Sequence, residues 1–401
     1  MNPRMIRLAV AVLSVAAVPA FTMPAFAAPS PAMIELRRHL TDASINTLTF
    51  HNIDEMFETL PVPTAGKPTS LPKRLAPLDF TYTFEGQSVP AAQFAERTFT
   101  NALLILKDGR IVHEQYYNNT HERTRFLSMS MAKSITSNLI GMAVADGAIG
   151  SIDDPIVKYV PSLKGSGYEG VSIRNALMMR SGVDWDERYD FGKVSPMQQL
   201  HDNAIVQNRI RFTDPAAGLK RAHPPGEVFN YSTVETGVLG LVIEGAVGKP
   251  LPQYMAERWW KRAGMESDGF WLADGEPGVG RAVNGMGFNA VLRDYGRIGQ
   301  MMLDGGKANG RQLLPEAWVK EATHVGTSTV PGPEGLGYQY QWWTFVGSSA
   351  YTALGLQGQH IFVDPATRTV VVKLSYFPPG EQRAEAETLA FLRAASAWTP
   401  R

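Results

Sequence analysis

Strand-forming stretches lie near both ends of this chain, and helix-forming ones lie between them. Residues 102–106 (Ala-Leu-Leu-Ile-Leu) and 111–117 (Ile-Val-His-Glu-Gln-Tyr-Tyr) flank Asp108-Gly109, a pair suited to the tight turn of a β-hairpin. Strand patterns return only at residues 337–345, 360–364 and 370–376, the last two joined across Pro365 to Arg368. Strands drawn from such distant segments predict one antiparallel sheet with helices on its faces, an α+β fold. Helical spacing supplies the cover. Met131, Ile135, Leu139, Met142 and Ala143 recur at helical intervals in a segment that runs from Ser130 to Asp146-Gly147. Further helices are expected over 234–248 and 381–397, and a short one over 33–40. The layout is then a sheet domain from residues 96–150 and 286–401, and a mainly helical domain at 151–285. An N-terminal arm at 28–95 is punctuated by Pro61, Pro63, Pro68 and Pro72.

Composition limits what such a fold can do. Lys plus Arg and Asp plus Glu number 38 each, so there is no overall positive field to hold nucleic acid or an anionic membrane. Cysteine is absent, which excludes a disulfide scaffold, thiolate-held zinc, iron–sulfur ligation and a cysteine nucleophile. A covalent catalyst must be Ser, Thr, Lys, Asp or Glu. The eight histidines are dispersed without the i, i+4 pairing of a helical metal site, and neither a metal nor an organic cofactor is expected. Residues 1–27 carry Arg4 and Arg7, an apolar run, and Ala25-Phe26-Ala27, the order of a secretory signal peptide. A membrane anchor is the alternative, but the run is interrupted by Pro19 and Pro24 and falls short of the ~20 residues a span needs. Cleavage after Ala27 would leave a periplasmic or secreted protein without a membrane span.

Two Ser-x-x-Lys sequences occur, at Ser70 to Lys73 and at Ser130 to Lys133. Pro72 disfavours a helix in the first, whereas the second opens the long apolar helix. Residues three apart share a helix face, so Lys133 can reach the Ser130 hydroxyl at the positive end of the helix dipole. If desolvated, that lysine can act as a base. An N-capping serine beside a solvated lysine would satisfy the same four residues. Tyr231, in Phe229-Asn230-Tyr231-Ser232-Thr233, sits on a loop before a helix. Beside an ammonium its hydroxyl could ionise below its usual value of ~10 and take the serine proton. Gly355-Leu356-Gln357-Gly358-Gln359 leads into a strand whose edge could offer an N–H to an oxyanion, with the Ser130 N–H as the second donor. Taken singly, Tyr231 could be a packed aromatic and the glycines a turn.

In this order and spacing, Ser130-Met-Ala-Lys133, Tyr231-Ser-Thr233 and the Gly-rich strand start resemble the serine β-lactamase and penicillin-binding superfamily in its class C-like branch. The wording Leu127-Ser-Met-Ser-Met-Ala-Lys133, Ala143-Val-Ala-Asp-Gly147, Ser151-Ile-Asp-Asp-Pro155 and Tyr340-Gln-Trp-Trp343 is most similar to 6-aminohexanoate-dimer hydrolases and related esterases. The resemblance implies a β-lactamase-like fold and an acyl-enzyme on Ser130. It makes Lys133 and Tyr231 the proton-handling pair, and gives an amide or ester of small size as substrate. Substrate or oxyanion contacts are expected from Gln357, Gly358, Gln359 and Thr233, and, by similarity to the oligomer hydrolases, from Tyr189. Two departures narrow the substrate. Thr233 stands where the superfamily has Asn, and Leu356-Gln357-Gly358 stands where β-lactamases have Lys-Thr-Gly. Without that lysine, the charge-assisted bond to a β-lactam or peptide carboxylate is lost. D,D-peptidase, weak β-lactamase and a non-catalytic ligand-binding protein on the same fold are the alternatives. Trp342 and Trp343 read as core, and His360 as a strand histidine.

Overall fold

The computed structural model describes residues 28–189, 195–276, 278–333 and 335–401; the expected signal peptide lies outside them. Its main sheet has seven antiparallel strands: β1 (Thr100–Lys107), β2 (Arg110–Tyr116), β3 (Leu336–Gln339), β4 (Trp342–Phe345), β5 (Tyr351–Gly355), β6 (Gln359–Asp364) and β7 (Thr369–Ser375). In space the order is β3-β4-β5-β6-β7-β1-β2, so β7, from near the carboxyl end, pairs with β1. β1, β6 and β7 are buried along their whole length, which is why their sequences read as apolar runs rather than as alternations. Asp108 and Gly109 both take positive φ, as their turn requires.

Successive residues of these strands serve two cores. Leu104, Ile361, Val363, Val370 and Val372 pack with the helices α1 (Met131–Ala145) and α3 (Leu292–Leu303). Leu103, Ile105, Phe362 and Val371 face the other way, toward α4 (Gln382–Ala397), where Phe391 stacks on Phe94 at 3.6 Å. Each such side chain contributes roughly 1.5–3 kcal/mol by leaving water. The α+β architecture expected from the sequence is thus the one observed.

Two features depart from the sequence reading. The stretch 337–345 is not one strand but a hairpin, with Tyr340 and Gln341 both at positive φ. No glycine, Asn or Asp marks that turn, and its position is fixed by Gln341. The Gln341 main-chain N–H donates to Leu177 O (3.0 Å) and its Nε2 to Ala176 O (3.1 Å). Its Oε1 accepts from Thr236 (2.7 Å), and its carbonyl from Ser134 (2.7 Å). The arm is also more ordered than its prolines suggest. Thr59–Val62 joins a second sheet, with Gly269–Leu272, Phe288–Val291 and Arg125–Leu127 following in that order. That small sheet delivers the chain to the start of α1.

Candidate active site

Arg125–Leu127 ends its strand, Met129 turns at φ 45°, and α1 begins at Met131. A non-glycine residue in the left-handed region costs about 1 kcal/mol or more, and here it makes the corner between strand and helix abrupt. Ser130 sits on that corner as the first residue of helical conformation, and its side chain makes no cap bond. Its hydroxyl instead accepts from Lys133 Nζ at 2.9 Å.

Lys133 is 1% exposed. Its other two donors go to Thr233 Oγ1 and to the Gly285 carbonyl, each at 2.9 Å. Gly285 allows this approach, since a β-carbon there would stand 2.6 Å from the Thr233 methyl. Burial penalises the ammonium and pulls the Lys133 pKa down to about 8, with the Glu187 carboxylate opposing the shift.

Tyr231 reaches the same serine from the loop before α2 (Thr233–Val247), its hydroxyl close enough to Ser130 to feel it. Asn230 holds that loop through its N–H to Met179 O (2.8 Å) and its side chain to Trp185 O (2.9 Å). The Tyr231 ring stacks on Trp343 at 5.9 Å and meets Tyr338 edge-on at 6.2 Å; Lys133 Nζ lies 4.9 Å from its centroid. Burial pushes the Tyr231 hydroxyl well above its usual range, with neighbouring Ser130 opposing the shift. The expectation that Tyr231 ionises beside an ammonium is therefore corrected. Desolvation works in opposite directions on the two groups, favouring the free amine of Lys133 and the neutral phenol of Tyr231.

Thr233 is buried and turned away from the solvent side. Its Oγ1 accepts from Lys133 and donates to the Glu187 carboxylate. Tyr189 is brought in as well: its hydroxyl donates to Glu187 Oε1 at 2.5 Å and lies 3.4 Å from Thr233 Oγ1. Trp185 Nε1 holds the other Glu187 oxygen at 2.5 Å.

The side chains of Gln357 and Gln359 are committed to backbone groups rather than to Ser130. Gln357 Nε2 donates to Thr41 O (3.0 Å) and Phe377 O (2.7 Å). Gln359 Nε2 donates to Ser375 O (2.8 Å), and its Oε1 accepts from the Ser375 N–H (3.0 Å). Gly358, at φ 89°, lies on the Phe377 ring. These side chains satisfy buried backbone groups at the end of β7. Gly355 packs against the chain just before Ser130, where a β-carbon would stand 2.4 Å from Ser128 O. His360 is fully buried in β6, with Nδ1 3.4 Å from Thr352 Oγ1.

Two participants were missed. Glu187 is one acid among 38 Asp and Glu, on a loop without periodicity. Only its place between Trp185 and Tyr189 hints at it. Trp343 read as core, which its burial supports, but one face of its ring carries Tyr231. Among the described residues no group of His, Asp and Glu is arranged to hold a metal ion, and no helix is long and apolar enough to cross a membrane.

A serine at a helix start, a lysine one turn on bonded to its hydroxyl and an antiparallel sheet beside them are the features of a serine hydrolase. The sequence pattern of the beta-lactamase family matches residues 91–395, and the chain belongs to that family. It is 31% identical over 307 residues to the 6-aminohexanoate-dimer hydrolase of Paenarthrobacter ureafaciens, covering 73% of this chain and 76% of that one. In fold it is similar to a Bacillus anthracis protein assigned as a 6-aminohexanoate-dimer hydrolase. The TM-score there is 0.79, with 24% identity, over 89% of this chain and 95% of the other. EstCE1, a hydrolase with promiscuous acyltransferase activity, shares the fold at a TM-score of 0.61 and 17% identity, over 76% of this chain and 96% of the other.

Proposed function

We propose that this hydrolase cleaves a small linear amide or ester through an acyl-enzyme on Ser130, acting outside the cytoplasm after removal of residues 1–27. One observation carries the reading: the Ser130 hydroxyl lies 2.9 Å from a lysine amine that burial brings to about 8. In acylation, the free amine of Lys133 takes the Ser130 proton as Oγ attacks the carbonyl carbon. By helix geometry the Ser130 N–H has no intrahelical acceptor, so it can receive the developing oxyanion. The second donor is sought in the backbone N–H of Leu356, beside Gly355, which packs against Ser128. Tyr231 donates its phenol proton to the departing nitrogen or oxygen and recovers one from Lys133. Water then enters, the same groups run in reverse, and the acyl group leaves as the carboxylic acid.

Leu356 offers no charge for a carboxylate placed next to the scissile bond, as β-lactams and D-alanyl peptides carry it, which argues against those two substrates. The relative from Paenarthrobacter ureafaciens, by its name, hydrolyses the 6-aminohexanoate dimer; that linear amide is the first substrate to try. The test is intact mass after brief exposure to a fluorophosphonate, followed by peptide mapping. A single adduct on Ser130, absent in Lys133→Ala, is the expected outcome; folded protein without an adduct would leave a binding protein on this fold as the better reading. Amino-terminal sequencing of exported protein should begin at Ala28.

A further inference from the structure

We propose that Glu187 is a positioning residue of the acylation step: acting through Thr233, it orients Lys133 and couples that amine to a negative charge, while Trp185 and Tyr189 fasten the carboxylate over the site. This rests on the reading of Ser130 as nucleophile and Lys133 as its base.

The geometry is a relay. Lys133 Nζ donates to Thr233 Oγ1, and Thr233 donates onward to Glu187, so the threonine hydroxyl has one role toward each partner. Glu187 Oε1 also accepts from Tyr189, and Oε2 from Trp185, so both oxygens are held by neutral donors. No arginine or lysine is salt-bridged to this carboxylate among the described residues. The other groups around Lys133 are few. From α1 there is Ser130, and from the loop before α2 there is Tyr231. From α2 there is Thr233, with Glu235 two residues on turned to the Ser181 hydroxyl. The segment at 285 offers only a carbonyl. On the Glu187 loop, Asp186 is paired with Arg188 at 2.5 Å. Glu187 is thus the charge that Lys133 senses, and it also lies near enough to act on Tyr231. A nearby carboxylate favours the ammonium over the amine and the phenol over the phenolate. Its removal must therefore move the titration of both groups to lower pH, and the pair would report this as one shifted limb.

The experiment measures the second-order rate of Ser130 modification by a fluorophosphonate between pH 5 and 10. It compares wild type, Glu187→Gln, Glu187→Asp and Thr233→Val, each first checked for folding by a circular-dichroism melt. In Glu187→Gln the rising limb should move down by about one pH unit. Glu187→Asp, which keeps the charge, should stay near the wild-type limb. A Gln variant that loses rate uniformly, with its limb unmoved, overturns the proposal and makes Glu187 a loop anchor. If the Gln variant does not fold, Thr233→Val decides: cutting the relay must shift the limb the same way, and an unmoved limb overturns the proposal. Wild type that forms no adduct fails at the earlier reading, and this inference falls with it.

Discussion

Lys133 has three acceptors at 2.9 Å and no carboxylate in direct contact, so burial sets its charge. An ordinary lysine, at 10.5, would be almost wholly protonated at neutral pH and useless as a base. At about 8, an appreciable fraction is free amine. Hydrolysis should therefore accelerate with pH, roughly tenfold per unit on the acid side, and level off above a limb near pH 8. The profile of kcat/KM against pH checks this, and a limb near 10 would mean that Lys133 is not desolvated enough to act. Ser130, Lys133 and Tyr231 were legible in the sequence because local helix geometry and chain order suffice to relate them. The partners of Thr233 and Glu187 were not legible. Their bond joins the first residue of a helix to a loop-borne side chain 46 positions away, and no periodicity encodes such a meeting.

The hairpin of β3 and β4 shows how an element can hide. Its turn residues, Tyr340 and Gln341, lie between apolar neighbours, so the stretch reads as an unbroken strand. Tertiary bonds, not turn chemistry, hold the two positive φ angles. Gln341→Ala should remove the anchor and leave the Ala176 carbonyl and the Thr236 hydroxyl short of partners, at a cost of about 3 kcal/mol. Urea unfolding should register this as a lower midpoint at unchanged slope. An unchanged midpoint would mean that the turn holds itself. The hairpin off the Asp108-Gly109 turn was legible for the opposite reason, since its geometry is written in two residues.

Stability of the whole molecule carries a pH signature from a group the chemistry does not use. Glu235 is buried in α2 and accepts from the Ser181 hydroxyl, and burial raises its pKa from 4.5 to about 8. Between those values the folded chain holds a proton that the unfolded chain has released. Its stabilising contribution is therefore complete below pH 4.5 and fades as pH rises through 8. His113 and His201, both pushed down to about 4 by burial, act oppositely below their ordinary 6.5. The measurement is therefore a difference. Wild type should lose stability relative to Glu235→Gln as pH is raised from 5 to 8, and parallel stability curves would refute the buried, protonated acid.

At this scale the sequence disclosed the architecture, because strands at both ends leave few ways to close a sheet. It did not disclose the second small sheet, whose strands Thr59–Val62 and Gly269–Leu272 are short and sit among prolines and helices. The union of β7 with β1 also governs the order in which the molecule can form. Lys107 bonds to Thr369, 262 residues further along, so the central pairing has very long range, the kind of topology that folds slowly. The serine-bearing helix leaves the ribosome early, but Trp343 under Tyr231 and the Gly355 turn against Ser128 come from the last sixty residues. A chain still being synthesised therefore carries Ser130 and Lys133 before the packing that buries Tyr231 and closes the site exists, and the site is complete only once the carboxyl end is in place.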